Sequence, residues 1–185
     1  MEAAALTFAP EDQRPLKVFF QDEARFGRLS RPVPCWAPEG VRPEVPAQLV
    51  REFTYVYSAV CPETGDCFSL ILPGSNTDLM QQFLDLYSLF YKSFRVVMVM
   101  DQAAWHTTGK LTLPENIRLH FLPPYSPELN PAEHLWDEVR EKDFANRAWS
   151  SLEQVEDQLE TSFHRLHRDK DRVRSLTGCP WAIVS

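Results

Sequence analysis

The 185-residue chain has no apolar run long enough to span a bilayer, and residues 1–10 carry no basic n-region. Neither a membrane span nor a secretory signal is therefore expected, and the chain is read as a cytoplasmic protein. Its four cysteines (Cys35, Cys61, Cys67 and Cys179) lack the close paired spacing of a zinc site. Cys61 and Cys67 flank a turn where a disulfide is one reading, but reduced thiols are expected in a chain with no sign of export. Positive charge is also short: 19 Lys and Arg against 26 Asp and Glu give a net charge of −7. Net negative charge repels nucleic acid at long range, which argues against tight unassisted DNA binding but not against DNA chemistry. The basic residues are clustered: Arg25, Arg28 and Arg31 follow Asp22, and Arg165, Arg168, Lys170, Arg172 and Arg174 outnumber the acids around them. With no internal repeat, low-complexity tract or domain boundary, residues 1–185 are read as one domain with a core of its own.

What is present is an alternation of β- and α-type patterns. The first ten residues read as a loose lead-in. Leu16, Val18, Phe20 and Asp22 alternate against Lys17, Phe19, Gln21 and Glu23, the period of a strand. From Arg28 to Pro46 five prolines (Pro32, Pro34, Pro38, Pro43 and Pro46) impose a stiff excursion without regular structure, and such long loops are usually functional. Residues 52–61 and 67–72, joined by the turn 62–66, form a hairpin pattern. A helix is predicted after the N-cap Asn76, with Leu79, Met80, Phe83, Leu84, Tyr87 and Phe90 at helical spacing. Residues 95–100 form a continuous apolar strand buried on both faces. A short helix from Thr107 or Thr108, a strand over 117–122, a helix from Asn130 to about Asp143 and another from Ser150 or Ser151 follow. This order describes an α/β fold, a mixed five-stranded sheet flanked by helices.

Three acids stand at the ends of these elements. Asp22 ends the first strand, Asp101 leaves the most buried strand at its carboxyl edge, and Glu133 opens a helix. Ligand sites in α/β sheets gather at such edges. Each acid also has an ordinary reading: Asp22 and Asp101 can start turns, and Asn130-Pro-Ala-Glu133 fits a helix capping box. Glu133 and Asp137 share a helix face at i and i+4, where like charges are unfavourable and a nearby cation reverses the sign. Carboxylates without a Cys/His ligand set favour a hard ion such as Mg²⁺, and two such ions suit in-line displacement at phosphorus. His106 has two readings, a contact to a scissile phosphate or its water and a histidine filling a polar rim. Arg25 and Arg28 are candidate phosphate contacts. Trp105 and Trp136 are read as packing residues, and His134 as exposed or structural.

Four motifs resemble the catalytic domain of DDE transposases, specifically the mariner superfamily and its bacterial insertion-sequence relatives. They are Gln-Asp-Glu-Ala-Arg-Phe-Gly (21–27), Pro-Cys-Trp-Ala-Pro-Glu-Gly-Val-Arg-Pro (34–43), Met-Asp-Gln-Ala-Ala-Trp-His (100–106) and Leu-Pro-Pro-Tyr-Ser-Pro-Glu-Leu-Asn-Pro-Ala-Glu-His-Leu-Trp (122–136). The resemblance spans about residues 16–147. It implies a ribonuclease-H-like fold in which Asp22, Asp101 and Glu133 are catalytic and hold two Mg²⁺ ions, with Mn²⁺ able to substitute. It implies cleavage at transposon ends, strand transfer into target DNA, and a homodimeric DNA complex clamped through the Pro-rich segment 31–46. Two departures stand out. Gln102 occupies a position where relatives commonly carry Asn. The helix-turn-helix region that relatives use to bind transposon ends is expected to be absent, which leaves a split transposase with a separately encoded recognition subunit, or loss of that region. An inactive remnant acting as an interaction module is the alternative reading, and a hydrolase of RNA–DNA hybrids a third.

Overall fold

The computed structural model describes residues 8–30 and 32–183; Arg31 and the first seven residues of the lead-in lie outside them. Five strands, β1 (Leu16–Leu29), β2 (Leu49–Cys61), β3 (Asp66–Leu72), β4 (Arg95–Met100) and β5 (Ile117–Phe121), form one sheet in the order β3-β2-β1-β4-β5. The β1–β2 and β2–β3 pairs are antiparallel, whereas β4 runs parallel to both β1 and β5. This is the expected ribonuclease-H-like mixed sheet.

Period-two alternation distributes the core between the two sheet faces. Val18, Phe20, Ala24 and Phe26 of β1 join Val97 and Val99 of β4 on one face. Helices α3 (Glu133–Val139), α4 (Leu152–Arg168) and α5 (Lys170–Thr177) cover it through Leu135, Trp136, Val155, Leu159, Leu166 and Val173. Phe19, Tyr57, Val96, Met98 and Met100 face the other way, against Met80, Phe83, Leu84 and Tyr87 of α1 (Thr77–Phe90). The β4 residues Val96–Met100 are therefore buried on both sides, as their unbroken apolar run requires. Cys61 and Cys67 are buried on opposite faces and are free thiols, which disposes of the disulfide reading.

Several boundaries differ from expectation for identifiable reasons. The lead-in is anchored where described: Phe8 is buried in the core, with the Arg118 guanidinium over its ring. Strand β1 continues seven residues past Asp22, because Ala24 and Phe26 keep the buried alternation beyond the charged pair. Its register with β2 shifts between Gly27 and Leu29, where a Cβ on Gly27 would lie 2.1 Å from the Glu52 carbonyl oxygen. The close approach at this bulge admits only glycine. Asn76 caps α1 as predicted, accepting from the Leu79 amide at 2.9 Å. The next helix, α2 (Ala104–Thr107), ends where it was expected to begin, because Asp101 Oδ1 turns the chain early by accepting the Ala103 amide at 3.0 Å. The helix expected from Asn130 begins at Glu133 and relaxes into a π turn over Arg140–Phe144. Ser151 caps α4 as predicted. Helix α5, capped by Asp169, was not foreseen, since its eight residues hold too few apolar side chains to show a period. Among the described residues, no helix is long and apolar enough to cross a membrane.

Candidate active site

Asp22 from β1, Asp101 from the residue after β4 and Glu133 from the start of α3 line a single cavity of about 430 Å³. Adjacent parallel strands bring the first two together: the β1–β4 register runs as far as Phe20 with Val99, so Asp22, still within β1, and Asp101, just past the end of β4, lie at the same end of that pair. The rim is the segment Pro123–Pro127, where the exposed Tyr125 adopts φ 56°.

The buried Asn130 brings in the third acid. Its side-chain amide donates to the Gln21 carbonyl at 3.0 Å, and its Oδ1 accepts the Ala132 amide at 3.2 Å. Helix α3 is thus tethered to the residue before Asp22. The capping box does not form: the Asn130 amide donates to the Pro127 carbonyl at 2.9 Å, and α3 begins with no side-chain cap. The Glu133 carboxylate is free to face the cavity.

Each carboxylate is held differently. Asp22 Oδ2 accepts the Trp136 indole N–H at 2.8 Å. Enclosure of its carboxylate pushes the pKa of Asp22 up to about 7; the Trp136 bond opposes the rise, while Glu133 and Glu23 add to it. Asp101 lies below the usual carboxylate range, chiefly through its hydrogen bond with His106 and, against the effect of burial, through the Ala103 amide. Glu133 is raised by burial; Arg140 opposes this, while Asp137 and Asp101 add to it.

His106 is buried, 3% exposed, with Nδ1 2.8 Å from Asp101 Oδ1 and Nε2 2.8 Å from Glu23 Oε1. Burial alone would lower its pKa, but the bonds to Asp101 and Glu23 prevail and raise it to about 10. The ring is an imidazolium donating to two carboxylates, which leaves neither nitrogen for a phosphate. Asp22 and Glu23, adjacent in β1, point to opposite faces, one to Trp136 and the other to His106. Gln102 donates to the Leu122 carbonyl at 2.8 Å and so ties the end of β4 to the chain leaving β5.

The other candidates are more dispersed. Arg28 is engaged by the Trp149 carbonyl and by Glu52. Arg25 is exposed, with its guanidinium 4.3 Å from the centre of the Phe53 ring. Trp136 is buried as expected, but its hydrogen bond to Asp22 was not foreseen; Glu23 and Asn130 were also missed as site residues. His134 is exposed. Among the described residues, no three His, Cys, Asp or Glu side chains close around one point as a ready-made metal cage. An all-oxygen set of three acids around an open cavity suits Mg²⁺, which takes one or two carboxylates and completes its shell with water and phosphate oxygens.

Comparison with known proteins bears on the fold and the family. The chain is 34% identical over 131 residues to the uncharacterized protein y4pE/y4sA of Sinorhizobium fredii (strain NBRC 101917 / NGR234), an alignment covering 70% of this chain and 97% of that one. Among solved structures it shares its fold with a Mos1 transposase paired-end complex with the left transposon end, at TM-score 0.60 and 18% identity. A Mos1 mariner paired-end complex with Mn gives TM-score 0.62 at 16% identity. Each comparison covers 88% of this chain, which spans 55% and 54% of those two transposase chains. Residues 17–156 match the model of the DDE superfamily endonucleases, and the chain belongs to that family.

Proposed function

We propose that the chain is a metal-dependent DNA endonuclease and strand transferase, a transposase catalytic domain that cuts transposon ends and joins them to target DNA. The observation that carries this reading is the convergence of Asp22, Asp101 and Glu133, from three separate elements, on one cavity. Family membership supports it, and the transposon end and Mn of the similar Mos1 complexes suggest the substrate and ion class.

The donor set fits two Mg²⁺ ions, with Mn²⁺ as substitute, held by Asp22, Asp101 and Glu133. Bound there, they would activate the attacking oxygen and stabilise the leaving one at phosphorus. Asp101, kept ionised by His106 and the Ala103 amide, is a standing negative charge. Asp22, poised near 7, is only partly ionised at neutral pH, and an arriving positive charge would favour its ionised form. Trp136 fixes the orientation of Asp22, while Asn130 fixes that of the helix bearing Glu133. A homodimeric DNA complex and a separate helix-turn-helix contribution to end recognition belong to the same proposal. Trp36, fully exposed in the Pro-rich segment, supports an intersubunit role for that segment.

The test is nicking of supercoiled DNA with Mg²⁺ or Mn²⁺ by wild type and Asp101→Asn. Nicking lost in a folded Asp101→Asn is expected. Equal activity would move the chemistry elsewhere, and no nicking by a metal-binding wild type would favour the inactive interaction module.

A further inference from the structure

A second cavity, of about 420 Å³, opens between the end of β1, the start of β2 and the chain after α3. Arg25, Arg140 and Arg147 line it, and no carboxylate does. Each guanidinium lies over an aromatic ring: Arg25 4.3 Å from the Phe53 centroid, Arg140 5.4 Å from Phe26 and Arg147 5.8 Å from Trp149. All three arginines are exposed. Arg14, Arg28, Arg165, Arg172 and Arg174 each form an ion pair with an acid. Among the described residues, Arg25, Arg140 and Arg147 form none, and Arg147 spends one N–H on the neutral Gln158. On a chain of net charge −7, this is a local concentration of uncommitted positive charge.

The groove and the carboxylate cavity share no lining residue but lie along the same two elements: Asp22 lines one and Arg25 the other on β1, and Glu133 lines one while Arg140, at the end of α3, lines the other. Arg140 follows Glu133 by two helical turns along α3 and its π turn, and its charge acts on the Glu133 carboxylate. Guanidinium groups offer forked donors matched to phosphate oxygens, and aromatic backing restricts them without neutralising them. We propose that this groove holds the phosphodiester backbone of one DNA strand as it leaves the carboxylate cavity, through Arg25, Arg140 and Arg147 and without sequence readout. The inference rests on the reading of the chain as a DNA-cutting enzyme and adds where the strand runs.

The test is binding of a fluorescent duplex, without divalent metal and in an Asp101→Asn background, titrated with KCl and followed by anisotropy. Each phosphate contact contributes about 0.9 to the slope of log K against log salt. The triple variant Arg25→Gln/Arg140→Gln/Arg147→Gln should lower that slope by about 2 to 3. The triple Arg→Lys variant should largely keep it, and Lys92→Gln/Arg168→Gln on other surfaces should change it little. If the triple Gln variant fails to fold, the exposed single variants Arg25→Gln and Arg147→Gln should each lower the slope by about 1. An unchanged slope and affinity in folded variants would overturn the proposal, as would no binding by the parent at low salt. The two readings separate cleanly: slope loss without wild-type nicking sinks only the catalytic reading, whereas nicking with an unaltered slope sinks only the groove.

Discussion

The Trp136 indole N–H donates to Asp22 Oδ2 at 2.8 Å across the joint between helix α3 and strand β1. Trp136 lies three residues after Glu133, so one helical turn supplies a carboxylate and the donor that orients another carboxylate. The ring is also buried, in edge contact with Phe26 and Phe163. Packing and orientation are served by the same side chain.

Trp136→Phe separates those two roles. The aromatic volume is mostly kept, but Asp22 loses the bond that favours its ionised form, and its pKa rises further above 7. Nicking at neutral pH should fall roughly 10- to 100-fold, the usual effect of removing a group that orients a metal-binding side chain. The loss should shrink as pH rises and Asp22 ionises. A pH–rate profile unchanged from wild type would show the bond to be incidental.

The raised pKa of Asp22 also has a stability consequence. Its folded pKa of about 7 exceeds the unfolded value near 3.9, so its contribution is fully present below about pH 4 and is lost as pH rises through 7. His106, raised to about 10, acts with the same sign between about 6.5 and 10. The metal-free protein should therefore melt at a lower temperature at pH 8 than at pH 5. The Asp22 part, discounted for partial exposure, is on the order of 2 kcal/mol. Asp22→Asn should flatten this dependence, and millimolar Mg²⁺ should raise the wild-type melting temperature more at pH 8 than at pH 5. A metal effect equal at both pH values, or unchanged in Asp22→Asn, would contradict the assignment.

His106 and Glu23 form an enclosed ion pair, with side chains 1% and 7% exposed. His106→Gln removes the charge and leaves Glu23 facing a neutral partner, at a cost of about 3–5 kcal/mol, the usual penalty for breaking such a pair. Adding Glu23→Gln should restore part of that loss, giving a coupling of at least about 1 kcal/mol in a double-mutant cycle. Additive effects by urea melting would mean that the two groups do not act as a pair.

How much of this was legible in the sequence follows from the range of the interactions. The strands, α1 and α4 were readable because period-two and helical burial are local patterns, and Asn76 and Ser151 stand immediately before the helices they cap, each accepting an amide three residues on. The strand-end position of Asp101 and the family motif at Glu133 were readable as well, whereas Asp22 lies within β1, which runs on to Leu29. The contacts that orient them were not: Trp136 meets Asp22 across 114 residues of chain, His106 meets Glu23 across 83, and Asn130 reaches Gln21 across 109. Alternation would have placed Glu23 opposite Asp22, but not against a histidine. Asn130 and Glu133 had the spacing of a capping box, and only the tertiary bond to Gln21 shows why Asn130 is otherwise engaged.

That bond is open to direct test. Asn130 is 5% exposed and supplies the side-chain donor to the Gln21 carbonyl, one residue before Asp22. Asn130→Ala leaves that carbonyl without the donor and releases the start of α3, so a loss of about 1–3 kcal/mol is expected. Asn130→Asp is nearly isosteric but turns a donor into an acceptor and sets a carboxylate against the carbonyl oxygen, so it should be the more damaging at neutral pH. Lowering the pH towards 4 protonates the aspartate and should narrow the gap between Asn130→Asp and wild type. Nicking should fall in both variants beyond what their stability explains, because Glu133 loses its fixed approach to the cavity. Chemical denaturation and single-turnover nicking of the folded fraction measure the two effects separately. Full activity per folded molecule in Asn130→Ala would mean that the rest of α3 positions Glu133 without this tether.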